Sequence, residues 1–410
     1  MALFFVATVL CYIDRVSISV AIIPLARERG FDAAAQGLVL SAFFWGYMWP
    51  QLAGGWIADR IGGRRVLAAG VAVWSFATLI TPLASVHFAI LLAARVILGL
   101  GEGVNFPAIH SLAATWTPPS EQSRAVALNF SGMHLGTVIA FLLGPPLMVA
   151  FGWQSLFYIS GLAGAVWVVV WMMTVAERPE LAPGISAEEL AEIHAGRFEM
   201  APSDRKPLLV PWSKIAGEKA VWAIILAHFC SNFGFNILLL WLPTYLSKTF
   251  SLSLIKVGTL SLVPWITTFA ASNAGGWIAD TMRRRGVPVG TIRRQMQAVA
   301  FTGGALPLFI LPAAPSPVIA VMLVTISAAC SGTGLAAFGV NHLDISPRFA
   351  GVLMGLSNTI ATIPGIVGVA AAGFIWRASG SFAAVFYVIA CVYLIGMAGY
   401  VTWAGGEERI

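Results

Sequence analysis

Apolar residues run along this chain in stretches of the length a helix needs to cross a bilayer, roughly 20 residues. Short polar joints separate them. Twelve such runs are read at 2–24, 36–58, 66–84, 88–113, 125–150, 155–175, 220–246, 257–279, 296–313, 316–340, 349–376 and 382–404. Gly and Pro are frequent inside them, as helices packed on other helices in lipid allow. One long polar stretch, 176–219, follows the sixth run and holds eight acidic residues. Its segment Ser186–Glu192 reads as a short capped helix. The pattern predicts an all-α membrane protein with twelve transmembrane helices. Six lie in an N-terminal bundle, 1–175, and six in a C-terminal bundle, 220–410, joined by the linker 176–219.

Composition narrows the class. Of 410 residues, 58% are hydrophobic and 10% charged, and the mean hydropathy is +0.84, whereas soluble proteins carry roughly 25% charged residues. A soluble globule of this size could not hide so much apolar surface. This excludes a typical soluble enzyme, a nucleic-acid-binding domain, a disordered chain and a disulfide scaffold. Cys11, Cys230, Cys330 and Cys391 are scattered through apolar runs and read as packed thiols. The run from Ala2 contains Asp14 and Arg15 and lacks a basic flank, so it reads as a first span, not a cleavable signal. Of the 24 Lys and Arg residues, 17 fall in the loops and tail on one side and five on the other. The bias places both termini in the cytoplasm.

The chain also repeats itself. GGWIAD occurs at Gly54–Asp59 and again at Gly275–Asp280, each time at the end of a span and followed by arginines. Arg124 and Arg348 open the fifth and eleventh spans, and Phe157-Tyr158 and Phe386-Tyr387 stand near the starts of the sixth and twelfth. One half therefore resembles the other.

Charges inside the spans are few. A charged side chain near the bilayer centre costs about 3 kcal/mol on insertion scales, so each needs a reason. Placing every ionisable residue against the runs leaves two acids, Asp14 and Glu102, and two bases, Arg15 and Arg95, all in the first half. Arg95 and Glu102 are seven residues apart and share a helix face, about 10 Å apart along the axis. Arginine stays charged and presents a planar fork suited to carboxylate or phosphate. Low-dielectric surroundings favour the neutral form of a carboxyl, which suits it to taking up and releasing a proton. An ionised acid would compete with an anion for the arginines, and protonation would release them. No metal spacing and no P-loop are present. Gly99–Gly103 reads as helix-packing glycine, His110 as a residue tuning the cytoplasmic end of a pathway, and His134 and His228 as packed polar residues.

Gly55-Trp-Ile-Ala-Asp59-Arg60-Ile-Gly62-Gly-Arg64-Arg65 resembles the loop motif of the major facilitator superfamily. The resemblance implies a cytoplasmic latch built from Gly55, Asp59, Arg60 and Arg64, with Asp280 in a weaker second copy. Three segments are similar to its anion:cation symporter branch: Tyr12–Ala21, Phe43–Tyr47 with Gln51, and Arg95–His110 with Trp116 and Ser120–Arg124. Phe229–Asn232, Trp241–Tyr245 and Gly355–Thr359 look similar to spans 7 and 11 of that branch. The resemblance implies that Arg15 and Arg95 hold an anion and that Asp14 and Glu102 are proton-linked. It makes Tyr47, Asn232, Ser357 and Asn358 polar cavity contacts. Leu40 and Ser231 stand where the glutamate carriers of the branch have histidine and arginine, which argues against glutamate transport. The expected protein is a monomeric secondary transporter in a bacterial inner membrane. It needs no cofactor and binds no nucleic acid, and it carries a small sugar-acid-type carboxylate with a proton. Inorganic phosphate or sodium coupling is the alternative, and a non-transporting receptor a more distant one.

Overall fold

The computed structural model describes residues 2–118, 121–182, 184–194 and 210–410, with only the backbone at 52, 55, 56, 59, 122–127 and 194. Among the described residues the regular structure is helical. In chain order the helices are α1 (Ala2–Arg29), α2 (Ala33–Ile61), α3 (Gly63–Ala84), α4 (Phe88–Gly103), α5 (Asn105–Trp116), α6 (Gln122–Phe151), α7 (Gln154–Thr174), α8 (Ala187–His194), α9 (Trp212–Gly217) and α10 (Lys219–Phe250). They continue with α11 (Leu254–Arg284), α12 (Val289–Ile310), α13 (Pro317–Gly332), α14 (Phe338–Ile345), α15 (Ala350–Ser379) and α16 (Ala383–Trp403).

By length and composition, 11 helical stretches among the described residues can cross a membrane. They are α1, α3, α4 with α5, α6, α7, α10, α11, α12, α13 with α14, α15 and α16. The 29-residue α2 makes the twelfth. Large apolar side chains stay exposed on their outer faces, among them Phe76, Leu83, Phe151 and Met173, as lipid-facing helices require. α8 forms where the linker helix is expected, its start capped by Ser186 Oγ, which accepts from the Glu189 amide at 3.0 Å.

Two spans are broken where the apolar pattern reads as continuous. α4 stops at Gly103 and α5 starts at Asn105. Pro107 has no N–H to give the Gly103 carbonyl, and its ring crowds that carbonyl. The tenth span breaks after Gly332, passes through a tight 3-10 turn at Thr333–Ala336, and resumes as α14. The two breaks are related by the internal repeat. Gly54 opens the first GGWIAD, and a side chain there would meet Pro107 at 3.2 Å. Gly275 opens the second and would meet Thr333 at 3.1 Å.

Contacts group the described chain into two compact units. One contains residues 1–15, 45–140 and 154–210, the other 16–44, 141–153 and 211–410. Three of the five divisions fall inside helices, α1, α2 and α6. In the second unit, Arg377 at the end of α15 pairs with Asp32 between α1 and α2, at 3.2 Å. Asp32 caps α2 by accepting from the Ala35 amide at 2.7 Å. That amide, and then Arg377, hold its carboxyl below the usual carboxylate range. In the first unit, Gly46 lets α2 touch α4 backbone to backbone, so a Cβ there would run into the Val96 carbonyl and lie 2.8 Å from the Leu100 amide.

This close approach yields a test. Gly46→Ala should lower the melting temperature of the purified protein, by the equivalent of about 1–3 kcal/mol for overpacking a tight contact. Gly276→Ala, inside α11 where nothing lies within 4 Å, should leave it unchanged or raise it slightly. Scanning fluorimetry in detergent reads both.

Candidate functional site

The site grows from one turn of α1. Cys11, Tyr12 and Arg15 are three and four residues apart, so they share a helix face. Asp14 points to a different side of the same turn. On α4, Glu102 is the last residue but one before the break. Around the break, Asn105 Nδ2 donates to Thr8 Oγ1 at 3.2 Å, and Thr8 donates to Asn129 Oδ1 at 2.6 Å. These bonds tie α5 to α1 and α6 and fix the register at which Glu102 meets Arg15.

Glu102 is the hub. Its Oε2 accepts from Arg15 Nη2 at 2.9 Å, from Arg15 Nε at 3.1 Å and from the Cys11 thiol at 3.1 Å. Its Oε1 is buried with no hydrogen-bond partner. One carboxylate oxygen is therefore crowded with donors while the other keeps its lone pairs free. Two tyrosines flank the guanidinium. The Tyr12 and Tyr47 ring centroids lie 4.7 and 4.4 Å from Arg15 Cζ, and Arg15 Nη1 donates to Tyr12 Oη at 3.3 Å. Such cation–π contacts strengthen out of water. Arg15 is 8% exposed and Glu102 fully buried.

Asp14 and Arg95 are buried in the same unit, at 2% and 1% exposure. Asp14 lies beside the Ser160 and Thr78 hydroxyls and within electrostatic reach of Glu102 and Arg95. Its Oδ1 has no hydrogen-bond partner. Arg95 feels both acids. The structure thus gathers two carboxyls and two guanidiniums into one buried neighbourhood. The close ion pair is Arg15–Glu102 between α1 and α4, not a pairing along α4.

In the other unit, Asn232 is half-buried and donates from Nδ2 to the Ala361 carbonyl at 2.9 Å. Asn358 is half-buried on α15. Ser357, expected as a cavity contact, is fully buried and lies between two imidazoles. The apolar sequence around it gave no sign of that partnership.

The residues read as a latch are placed as follows. Gly55 and Asp59 are backbone-only positions of α2, outside the residues whose side chains are described. Arg60 and Asp280 are exposed at helix ends. Arg64 donates from Nη2 to the Met172 carbonyl at 2.8 Å, and its own carbonyl accepts from Trp171 Nε1 at 3.1 Å. Arg64 thereby binds α3 to α7. Gly62 adopts φ of +100° just before α3, a conformation that glycine alone adopts readily. His110 is exposed, with Nδ1 2.8 Å from the Phe106 carbonyl.

Cys11 is the main residue that the sequence reading passed over. It counted as a packed thiol, yet it donates to Glu102 and lies 3.8 Å from Arg15 Nη2. The available signal was its position one turn before Arg15.

Comparison with known proteins identifies the family. The family model of the Major Facilitator Superfamily matches residues 4–369. The chain belongs to that superfamily. It is 40% identical over 406 residues to the chloroplastic ascorbate transporter of Arabidopsis thaliana, covering 98% of this chain and 74% of the relative. It is 41% identical over 407 residues to the chloroplastic sodium-dependent phosphate transport protein 1 of the same plant, covering 99% and 78%. Among solved structures, a D-xylose-proton symporter superimposes with a TM-score of 0.78 at 13% identity, covering 100% of this chain and 98% of the other. A bacterial homologue of the human lysosomal transporter Spinster superimposes with a TM-score of 0.77 at 18% identity, covering 98% and 95%. At these identities the structural likeness shows the fold. The relatives and fold neighbours are transporters, not enzymes.

The buried pair makes a stability prediction. Glu102→Ala strands the Arg15 guanidinium and should cost about 3–5 kcal/mol. Glu102→Ala combined with Arg15→Met should recover much of that loss, because no unpaired charge remains. Thermal unfolding of the single and double variants measures the recovery, and equal losses in both would refute a dominant charge effect.

Proposed function

We propose that this protein is a secondary active transporter that moves a small organic anion together with a proton by alternating access. Anion transport follows the relatives, which are named for ascorbate, phosphate and other anions. The observation that carries the coupling is the fork of Arg15 closed on a single oxygen of Glu102. An incoming carboxylate needs the same N–H groups. It gains them when Glu102 is neutral, and the unoccupied Oε1 is where the proton would bind without displacing a donor.

Charge balance points the same way. Two carboxylates and two guanidiniums sum to zero, so a monoanion entering alone would leave a net negative charge out of water. One proton on Glu102 or Asp14 cancels it. In this reading Arg15 and Arg95 hold the anion and Tyr47 shields the Arg15 guanidinium. Asn232, Ser357 and Asn358 belong to the substrate pathway. Gly55, Asp59, Arg60, Arg64 and Asp280 form the latch that yields as the halves 1–175 and 220–410 rock about the linker 176–219. The protein works as a monomer with both termini on the side of the basic loops, the cytoplasmic side in a bacterial inner membrane. A second reading, sodium-coupled phosphate uptake, draws on the relative named for it, since sodium supplies the same balancing charge.

Proteoliposome uptake tests both readings. A panel of labelled carboxylates and inorganic phosphate, with sodium or choline outside, identifies cargo and ion. Glu102→Gln and Asp14→Asn should each cut accumulation driven by a pH gradient at least about tenfold, worth about 1.4 kcal/mol, while anion exchange continues. Full gradient-driven accumulation in both variants would reject their coupling role, and phosphate uptake requiring sodium would favour the second reading.

A further inference from the structure

Far along the chain from the four buried charges, three helices bring two imidazoles to one hydroxyl. His228 Nδ1 on α10 lies 3.2 Å from Ser357 Oγ on α15, and His342 Nε2 on α14 lies 3.0 Å from the same atom. Ser357 is fully buried, His342 is 3% exposed and His228 8%. The His228 ring packs on Phe338, with centroids 5.1 Å apart. All of these residues lie in the second unit.

A serine hydroxyl has one proton to give and two lone pairs. The Ser357 proton has three acceptors in reach, the Met354 carbonyl at 3.1 Å, His342 Nε2 and, in its other tautomer, His228 Nδ1. Two arrangements keep the hydrogen on His228 Nδ1. When it goes to Met354, both imidazoles donate to Oγ. His342 Nδ1 then carries only a lone pair, and it is buried without a hydrogen bond. When the proton goes to His342, only His228 donates to Oγ, and His342 carries its hydrogen on Nδ1, on the side of the Gly339 carbonyl. The two arrangements differ by one hydroxyl rotation and one tautomer. A proton arriving at His228 Nε2 can thus be passed on: Nδ1–H goes to Oγ, and the hydroxyl proton goes to His342 Nε2. The serine is regenerated, one proton has entered and His342 becomes the cation.

The nearby acid and phenol are engaged elsewhere. Asp344, two residues on, is engaged by Arg293 of α12 at 2.7 Å, and Tyr400 of α16 by Asn341 at 2.9 Å. The other titratable groups on the packed helices are Cys230 and Tyr245 on α10, with Lys219 and Lys248 near its two ends, Arg294 on α12, Cys330 on α13, and Tyr387, Cys391 and Tyr393 on α16. The charged groups of α11 and α15 (Lys256, Asp280, Arg283, Arg284 and Arg377) lie near their helix ends.

We propose that His228, Ser357 and His342 form a second proton-binding site, in the C-terminal half, that holds one proton between the two imidazoles. The site rests on the reading of this chain as a proton-coupled carrier for its role, and on geometry alone for its existence. Nitrogen-15 spectra of histidine-labelled protein in bilayers test existence directly. Acidification from about pH 8 to about pH 4 should turn one of the two imidazoles cationic, assigned with His228→Gln and His342→Gln. Ser357→Ala should shift that titration by at least about half a pH unit. Two imidazoles that stay neutral throughout, or an unchanged titration in folded Ser357→Ala, would overturn the site. Uptake assays test its role: His342→Gln should flatten the pH profile while half-saturation by the anion changes less than about twofold, and an unaltered profile would remove the site from the cycle. Loss of gradient-driven uptake in Glu102→Gln with an intact His342→Gln profile would leave the coupling reading standing without this site. The reverse pattern would do the opposite.

Discussion

A guanidinium and a carboxylate kept from water in the middle of a lipid-soluble protein set the terms for everything around them. Each charge alone would cost several kcal/mol to hold there. Arg15 and Glu102 offset that cost by facing each other, and the neighbouring groups complete the solvation that water no longer provides. Tyr12 and Tyr47 offer ring faces, Tyr12 a phenol oxygen and Cys11 a thiol. The pair also explains local backbone features of no obvious use in themselves. Pro107 ends α4 one residue beyond Glu102, and the Asn105–Thr8–Asn129 chain locks that break against α1 and α6. A continuous helix would have no such anchor beside the carboxylate.

The internal repeat supplies the scaffold twice and the charges once. In both halves the first glycine of GGWIAD touches a broken span just past its break, at Pro107 and at Thr333. In the first half the helix before the break carries Glu102. In the second, the corresponding region carries only uncharged groups until His342, and the Arg293–Asp344 pair lies at a helix end. The duplicated framework thus carries unequal chemistry, with paired carboxyls and guanidiniums in the first copy and imidazoles in the second.

The twelve spans were legible because a hydrocarbon slab imposes one length on every crossing helix, and the sequence shows that length directly. The family was legible from Asp14-Arg15, Arg95 to Glu102 and the two GGWIAD copies, which stand out against apolar surroundings. Elimination of solvated charges isolated Asp14, Arg15, Arg95 and Glu102, and the structure places all four in one buried neighbourhood. What remained hidden depended on tertiary register. Which acid takes which arginine turns on the break at Val104, and a continuous reading of that span could not reveal it. Cys11 and Ser357 look like ordinary small residues in an apolar run, and only their partners from distant helices give them meaning. The units defined by contact, dividing within α1, α2 and α6, likewise depend on packing and not on local pattern.

The backbone contact at Gly46 has a mechanical consequence. Tyr47 is the next residue, and on α4 Glu102 follows Val96 by six residues, less than two turns. The close backbone contact resists sliding of α2 against α4, so the ring of Tyr47 and the carboxyl of Glu102 sit on helices held in one register. Bending or rotation of α1, the helix that bears Arg15, is then a route to uncovering the guanidinium that leaves this contact intact.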